Sequence, residues 1–171
     1  MERTLIILKP DALQRGIVGE VVSRFEKTGL KICGVKMLQP DYDHYYHHYE
    51  NISKMVSRRG KEAFDVTLEA MTEGPVIAAV LEGIEAVAVV RKMVGETEPH
   101  KALPGTIRGD YSHISFKHAG DYKLGVPNVI HASGTVEEAQ QEIAHWFKAD
   151  ELFDYQTVHE HFTQPKPSKN K

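Results

Sequence analysis

The chain has 171 residues, a length that suits one domain. Hydrophobic residues make up 41% and charged residues 26%, enough apolar material for a core without metal or disulfide staples, and the net charge of -3 excludes a broad basic field of the kind that draws proteins onto nucleic acid. The one cysteine, Cys33, cannot close an internal disulfide, no apolar run approaches the ~20 residues that span a bilayer, and Met1-Glu2-Arg3-Thr4 lacks the pattern of a signal peptide, so a cytoplasmic protein is expected.

Thr4 to Leu8 is an apolar, β-rich run ending at Lys9-Pro10 and reads as a buried strand. Val18, Val21, Val22 and Phe25 follow helical spacing, with Gly29 as the stop. Lys31 to Leu38 suits a second strand. Asp41 to Arg59 and Lys61 to Met71 read as helical, and Gly74-Pro75 ends the second of these. Val76 to Leu81 is another buried-strand candidate. Ile84 to Val94 follows as a helix, with Ile84, Val87, Ala88 and Arg91 on one face.

Gly95 to Asp110 and Lys117 to Pro127 read as loops. Val129-Ile130 is a brief strand. Thr135 and Glu138 form a capping box that opens a helix through Phe147. The domain is expected to span residues 1–163, followed by a flexible tail over 164–171 with two prolines. The order β-α-β-α-α-β-α-loop-β-α contains β-α-β-β-α-β. That is the split βαβ plan of an α/β (α+β), ferredoxin-like domain with a four-stranded antiparallel sheet covered by helices.

No GxxxxGK[ST], GxGxxG, CxxC or HExxH occurs. What stands out is a set of polar residues at the ends of elements: Lys9, Arg91, Thr97, Arg108, Asn128 and His131. Two arginines, a lysine, a hydroxyl and an amide can cradle a polyphosphate. A neutral histidine with one ring nitrogen held by an acceptor can offer the other as a nucleophile. Glu142, on the helix after His131, is the best candidate for that acceptor.

Asn128-Val129-Ile130-His131-Ala132-Ser133 matches an Asn-x-x-His-[Gly/Ala]-Ser active-site motif, and with it the chain resembles the nucleoside diphosphate kinase family. Supporting stretches are Thr4 to Gln14, Gly16 to Phe25, Gly74 to Leu81, Gly95 to Pro99 and Pro104 to Tyr111, and the resemblance runs over about residues 3 to 155. It implies a ferredoxin-like fold and γ-phosphoryl transfer from a nucleoside triphosphate to a nucleoside diphosphate, by a ping-pong route through a phosphohistidine on His131. It implies His131, Lys9 and Glu142 as the catalytic set. Lys9, Tyr49, Arg91, Thr97, Arg108 and Asn128 would contact the nucleotide, and Ser133 would stand beside His131 and Glu142. ATP and other nucleotides would be the partners, with Mg²⁺ carried by their phosphates and no metal bound by the protein's own side chains. A homo-oligomer is implied, a hexamer favoured over a tetramer.

The sequence departs from the family pattern in three places. Gly134 stands where Asp is usual. Ser53 to Lys61 lengthens the segment after Tyr49, so the aromatic that stacks on the base falls to Phe64, with Met55 as the alternative. Ser115 to Pro127 carries an insertion that could cover the site or build an oligomer contact. Two other readings start from different residues. His44, His47 and His48, with His159 and His161, could supply metal ligands, although a site would need more donors than any one group offers. A nucleic-acid or interaction role is disfavoured by the charge.

Overall fold

The computed structural model describes residues 1–163; the tail expected over 164–171 lies outside the described residues. Four strands form one antiparallel sheet in the order β2-β3-β1-β4: β1 Glu2–Leu8, β2 Lys31–Leu38, β3 Val76–Gly83 and β4 Ile130–Ala132. This is the split βαβ plan. β1 and β3 are the central strands and carry near-continuous buried runs, as strands covered on both faces must.

Two hydrophobic clusters flank the sheet. Ile6, Leu8, Ala79 and Leu81 face Val21 and Phe25 of α2 (Val18–Lys27) and Ala86, Val90 and Val94 of α6 (Ala86–Val94). Leu5, Ile7, Ala78 and Val80 face Tyr45, Tyr49, Phe64, Leu68 and Trp146. α6 begins two residues later than the spacing predicts, and Ile84 and Ala88 are exposed. The buried face is Ala86, Val90 and Val94 at steps of four, with Val87 beside it. The left-handed residue Glu85 (φ 49°) resets the helical phase after Ile84.

The segment from 41 to 59 is helical, as expected, but in three pieces. α3 (Tyr42–Tyr46) passes into a π-helical stretch, His47–Ile52, and α4 (Met55–Arg59) restarts after the left-handed Lys54. α5 (Lys61–Thr72) follows. α1 (Pro10–Gln14) opens at once after β1 with proline in its first turn, where no N–H is needed.

Both expected loops contain helix. α7 (Ile107–Tyr111) lies in the first, and α8 (Phe116–Asp121) opens just before the second. Both have hydroxyl N-caps, Thr106 and Ser115. β4 excludes Val129, because that residue has φ 71° and cannot lie in a strand. α9 (Val136–Trp146) carries the expected Thr135 cap, while the Glu138 carboxylate reaches back to the N–H of Gly134 at 3.0 Å.

Candidate active site

β4 is short, yet its register is fixed by the central strand: Ile130 pairs with Leu8, His131 with Ile7, and Ala132 with Ile6. His131 therefore projects to the face covered by α9 and the π-helical stretch. Its ring stands edge-on to His48 (4.5 Å between centroids) and to Tyr49 (6.2 Å).

Glu142 comes to His131 from the buried side of α9. Its Oε1 lies 3.0 Å from His131 Nε2, and its Oε2 accepts a 2.6 Å bond from the Ser133 hydroxyl. Ser133 Oγ in turn accepts from the backbone N–H of Leu5. Burial works to raise the Glu142 pKa. The neighbouring His131 outweighs it, with help from His48 and Ser133, and holds the carboxyl at about 2. An ionised carboxylate can only accept, so His131 Nε2 carries the proton and Nδ1 is left with its lone pair.

The turn before His131 is strained. The Ile130 N–H donates back to the Asn128 carbonyl (2.7 Å) around Val129, a β-branched residue in the left-handed region. Two side chains hold the turn. Asp11 Oδ2 accepts the Val129 N–H at 3.0 Å. Arg108 donates to the carbonyls of Asn128 (3.2 Å), Ile130 (2.6 Å) and Gly95 (3.1 Å). Burial, with Arg91 and Arg59 adding to it, lowers the Arg108 pKa to about 10, so the group remains a cation at neutral pH. Of its five N–H donors, three serve the backbone and two remain.

The turn faces a cleft of about 1030 Å³, which Lys9, Tyr49, Arg91, Thr97, Arg108, Asn128 and His131 all line. Seven Lys and Arg side chains border it against four Asp and Glu, in a chain of net negative charge. Lys9 Nζ donates to Asn128 Oδ1 at 2.7 Å, and the Asn128 amide donates to the Thr97 carbonyl at 2.9 Å. Burial, then the charge of Arg108, lowers the Lys9 pKa to about 8. Tyr49 Oη and Ser53 Oγ also border the cleft, buried and without a hydrogen-bond partner among the described residues.

Phe64 does not fit the role of base platform. It is 2% exposed, packed edge-on to Tyr46 within the core, and absent from the cleft wall. The aromatic that does border the cleft and offers an open face is Phe116, at the start of α8, 39% exposed with the Arg59 guanidinium 5.4 Å from its ring. The insertion that carries it is tied down at both ends. Ser112 Oγ donates to the Pro127 carbonyl and the Phe116 N–H to Glu98, while Gly125 lies so close to α5 that a Cβ would meet Ala70 and the Val66 carbonyl. Met55 borders the cleft too.

The histidines do not gather as a metal site in the way their spacing suggests. His44 stacks on His145 at 3.9 Å, and His47 lies 4.4 Å from the same ring, whereas His48, in the π-helical stretch, is fully buried. His48, His131 and Glu142 bring three potential ligand atoms within 4.8 Å of one another. However, the Trp146 indole N–H donates to His48 Nδ1 at 3.1 Å. That fixes Nδ1 as the acceptor and leaves a proton, not a lone pair, on Nε2. The cations around the cleft likewise repel a bare metal ion. They suit one that arrives already bound to phosphates.

The family model described as nucleoside diphosphate kinase matches residues 2–152. A nucleoside diphosphate kinase of Pyrococcus furiosus is 47% identical over 155 residues, covering 91% of this chain and 88% of its own length. One of Borreliella burgdorferi is 43% identical over 155 residues, covering 91% and 92%. Among solved structures, a transition-state mimic of the Borrelia burgdorferi enzyme with bound vanadate and ADP superposes with a TM-score of 0.90 at 42% identity, covering 93% of this chain and 94% of that one.

Proposed function

The chain belongs to the nucleoside diphosphate kinase family, and from that premise we propose that it moves a γ-phosphoryl group from a nucleoside triphosphate to a nucleoside diphosphate in two half-reactions through a phosphohistidine on His131. The observation that carries this reading is the polarity of one ring. His131 Nε2 is held by Glu142, and Nδ1 is free in a cleft bordered by Lys9, Arg91 and Arg108.

The triphosphate enters as its Mg²⁺ complex, and the metal supplies charge neutralisation on the phosphates. Lys9, Arg91 and the two spare N–H groups of Arg108 receive phosphate oxygens. The Nδ1 lone pair attacks the γ-phosphorus, the bond to the β-phosphate bridging oxygen breaks, and its electron pair leaves with the diphosphate. Positive charge that develops on the imidazole is met by the Glu142 carboxylate across the ring. The unpartnered hydroxyls of Tyr49 and Ser53 are satisfied by phosphate oxygens or water, and Thr97 Oγ1 serves the same polar strip. A second diphosphate then binds in the same place and the steps reverse.

The base rests on Phe116. Stacking accepts any π-face, so the reaction tolerates different nucleobases. We also assign the protein to a homo-oligomer, a hexamer before a tetramer, and to the cytoplasm; no helix among the described residues is long and apolar enough to cross a membrane.

The test is labelling. Incubation with γ-labelled ATP should leave acid-labile phosphate on the wild-type chain and none on His131→Ala. Label that survives the substitution would refute the assignment.

A further inference from the structure

One buried group beside the reacting ring has no part in the scheme above. His48 is wholly enclosed, and it lies in the π-helical stretch, a rare backbone form that collects at functional sites. The turn sends His48 and Tyr49, consecutive in sequence, toward the same interior. Trp146 fixes the His48 tautomer so that Nε2 carries the proton. That Nε2–H has no hydrogen-bond partner among the described residues and stands 3.8 Å from Glu142 Oε1, the oxygen that holds His131. A buried donor left unpartnered is costly, and here it lies close to the carboxylate that sets the polarity of the reacting ring.

We propose that His48 is a positioning residue for phosphoryl transfer, acting through Glu142 and by packing against His131 to keep Nε2 bound and Nδ1 bare. The proposal rests on the reading of His131 as the phosphoryl acceptor. Two features of the geometry support it. Glu142 Oε2 is anchored by Ser133, but among the described residues Oε1 accepts a hydrogen bond from the His131 ring alone. A neutral N–H 3.8 Å from Oε1 favours that position of the oxygen electrostatically without adding a charge that would compete with His131. The His48 ring also stands against the His131 ring at 77° and 4.5 Å. It blocks the half-turn of the His131 ring that would exchange the two nitrogens. Burial and the neighbouring His131 keep the His48 pKa well below the ordinary histidine value, so the donor stays uncharged.

The experiment compares His48→Phe, which keeps the ring and removes the donor, with His48→Gln, which offers an amide N–H in its place. Labelling by γ-labelled ATP is followed in a single turnover, nucleotide affinity is measured separately, and nitrogen NMR of histidine-labelled protein reports the His131 tautomer. His48→Phe should label about tenfold more slowly at unchanged nucleotide affinity, with His131 split between its two tautomers, and His48→Gln should recover most of the rate. Wild-type labelling by His48→Phe with His131 still entirely Nε2-protonated overturns the proposal. So does an equal loss in both variants matched by a loss of nucleotide affinity. If thermal melting shows that His48→Phe does not fold, Trp146→Phe frees the His48 tautomer while leaving the residue in place. Slow labelling with mixed His131 tautomers supports the proposal there, and wild-type behaviour overturns it. Absence of label on the wild-type protein, or label that survives His131→Ala, instead marks failure of the acceptor reading.

Discussion

The Lys9 ammonium lies 2.7 Å from Asn128 Oδ1, which joins the first strand to the turn that carries His131 from inside the cleft. The Asn128 side chain bonds Lys9 through its oxygen and the Thr97 carbonyl through its amide N–H, so it is expected to aim the lysine. Asn128→Ala should lower kcat/KM by about 10- to 100-fold, the loss of one charge-assisted hydrogen bond. Steady-state kinetics measures it, and a change below twofold would contradict this role.

Lys9 also sets a pH limit. Burial and Arg108 lower its pKa to about 8, so in the free protein it is a cation below that pH and neutral above it. Since the cation binds phosphate, kcat/KM should fall as pH rises through about 8. Bound phosphates restore the charge, so the matching fall in kcat should lie at higher pH. Coincident limbs in the two profiles would argue against Lys9 as their source.

Glu142 has the opposite sign. Its carboxyl is held at about 2 in the fold, below the ordinary 4.5. Its contribution to stability is complete above 4.5 and is lost as pH falls toward 2. Acid unfolding followed by circular dichroism should be steeper for wild type than for Glu142→Gln over that interval. The variant should also lose about 10- to 100-fold in the rate of His131 labelling at neutral pH.

Phe116 and Phe64 separate base binding from packing. Phe116→Ala should raise nucleotide KM roughly tenfold, the value of about 1–3 kcal/mol of stacking, with a small effect on melting. Phe64→Ala should destabilise the fold by about 3–5 kcal/mol and leave KM unchanged in the protein that remains folded. Denaturant titration and saturation kinetics on both variants read the two effects apart.

At Val129, glycine and alanine should rank in reverse of the usual order. Both substitutions remove the two buried methyl groups, and glycine one carbon more, but only glycine relieves the φ of 71°. Val129→Gly should therefore be at least as stable as Val129→Ala, where an ordinary strand position would favour alanine by about 0.5–1 kcal/mol. Chemical denaturation of the pair decides it.

Much of this was readable from residues alone. β1 and β3 are continuous apolar runs because both faces are covered, and the helices of the split βαβ plan carry periodic apolar faces. Lys9, Arg91, Thr97, Arg108, Asn128 and His131 fall at element ends, and the structure draws them to one cleft. Other features depend on geometry that spacing does not carry. His44 and His48 are four apart and both stand edge-on to Trp146, but His44 stacks on His145 while His48, in the π-helical stretch, goes on to meet His131. Phe64 looks like a candidate platform until the phase of α5 turns it into the core. The insertion is polar and glycine-containing, so it reads as loop. Its helix is set by the Ser115 cap and the Glu98 anchor, both tertiary or conformational facts. Arg108 is legible as a phosphate ligand, but nothing in its neighbours along the chain announces the three carbonyls it holds.

Those three carbonyls have an evolutionary consequence. The side chains of Asp11, Arg108 and Asn128 are bound into one small device around the backbone of Val129: the first holds that residue's N–H, the second the carbonyl of Asn128, and the third the lysine beside it. None of these three side chains can drift without stranding a partner, and lysine in place of Arg108 lacks the fork that reaches three acceptors at once. Across descendants of this sequence the three are expected to change together or not at all, while exposed positions of α6 that do not border the cleft, Ala88 and Lys92, accumulate substitutions freely.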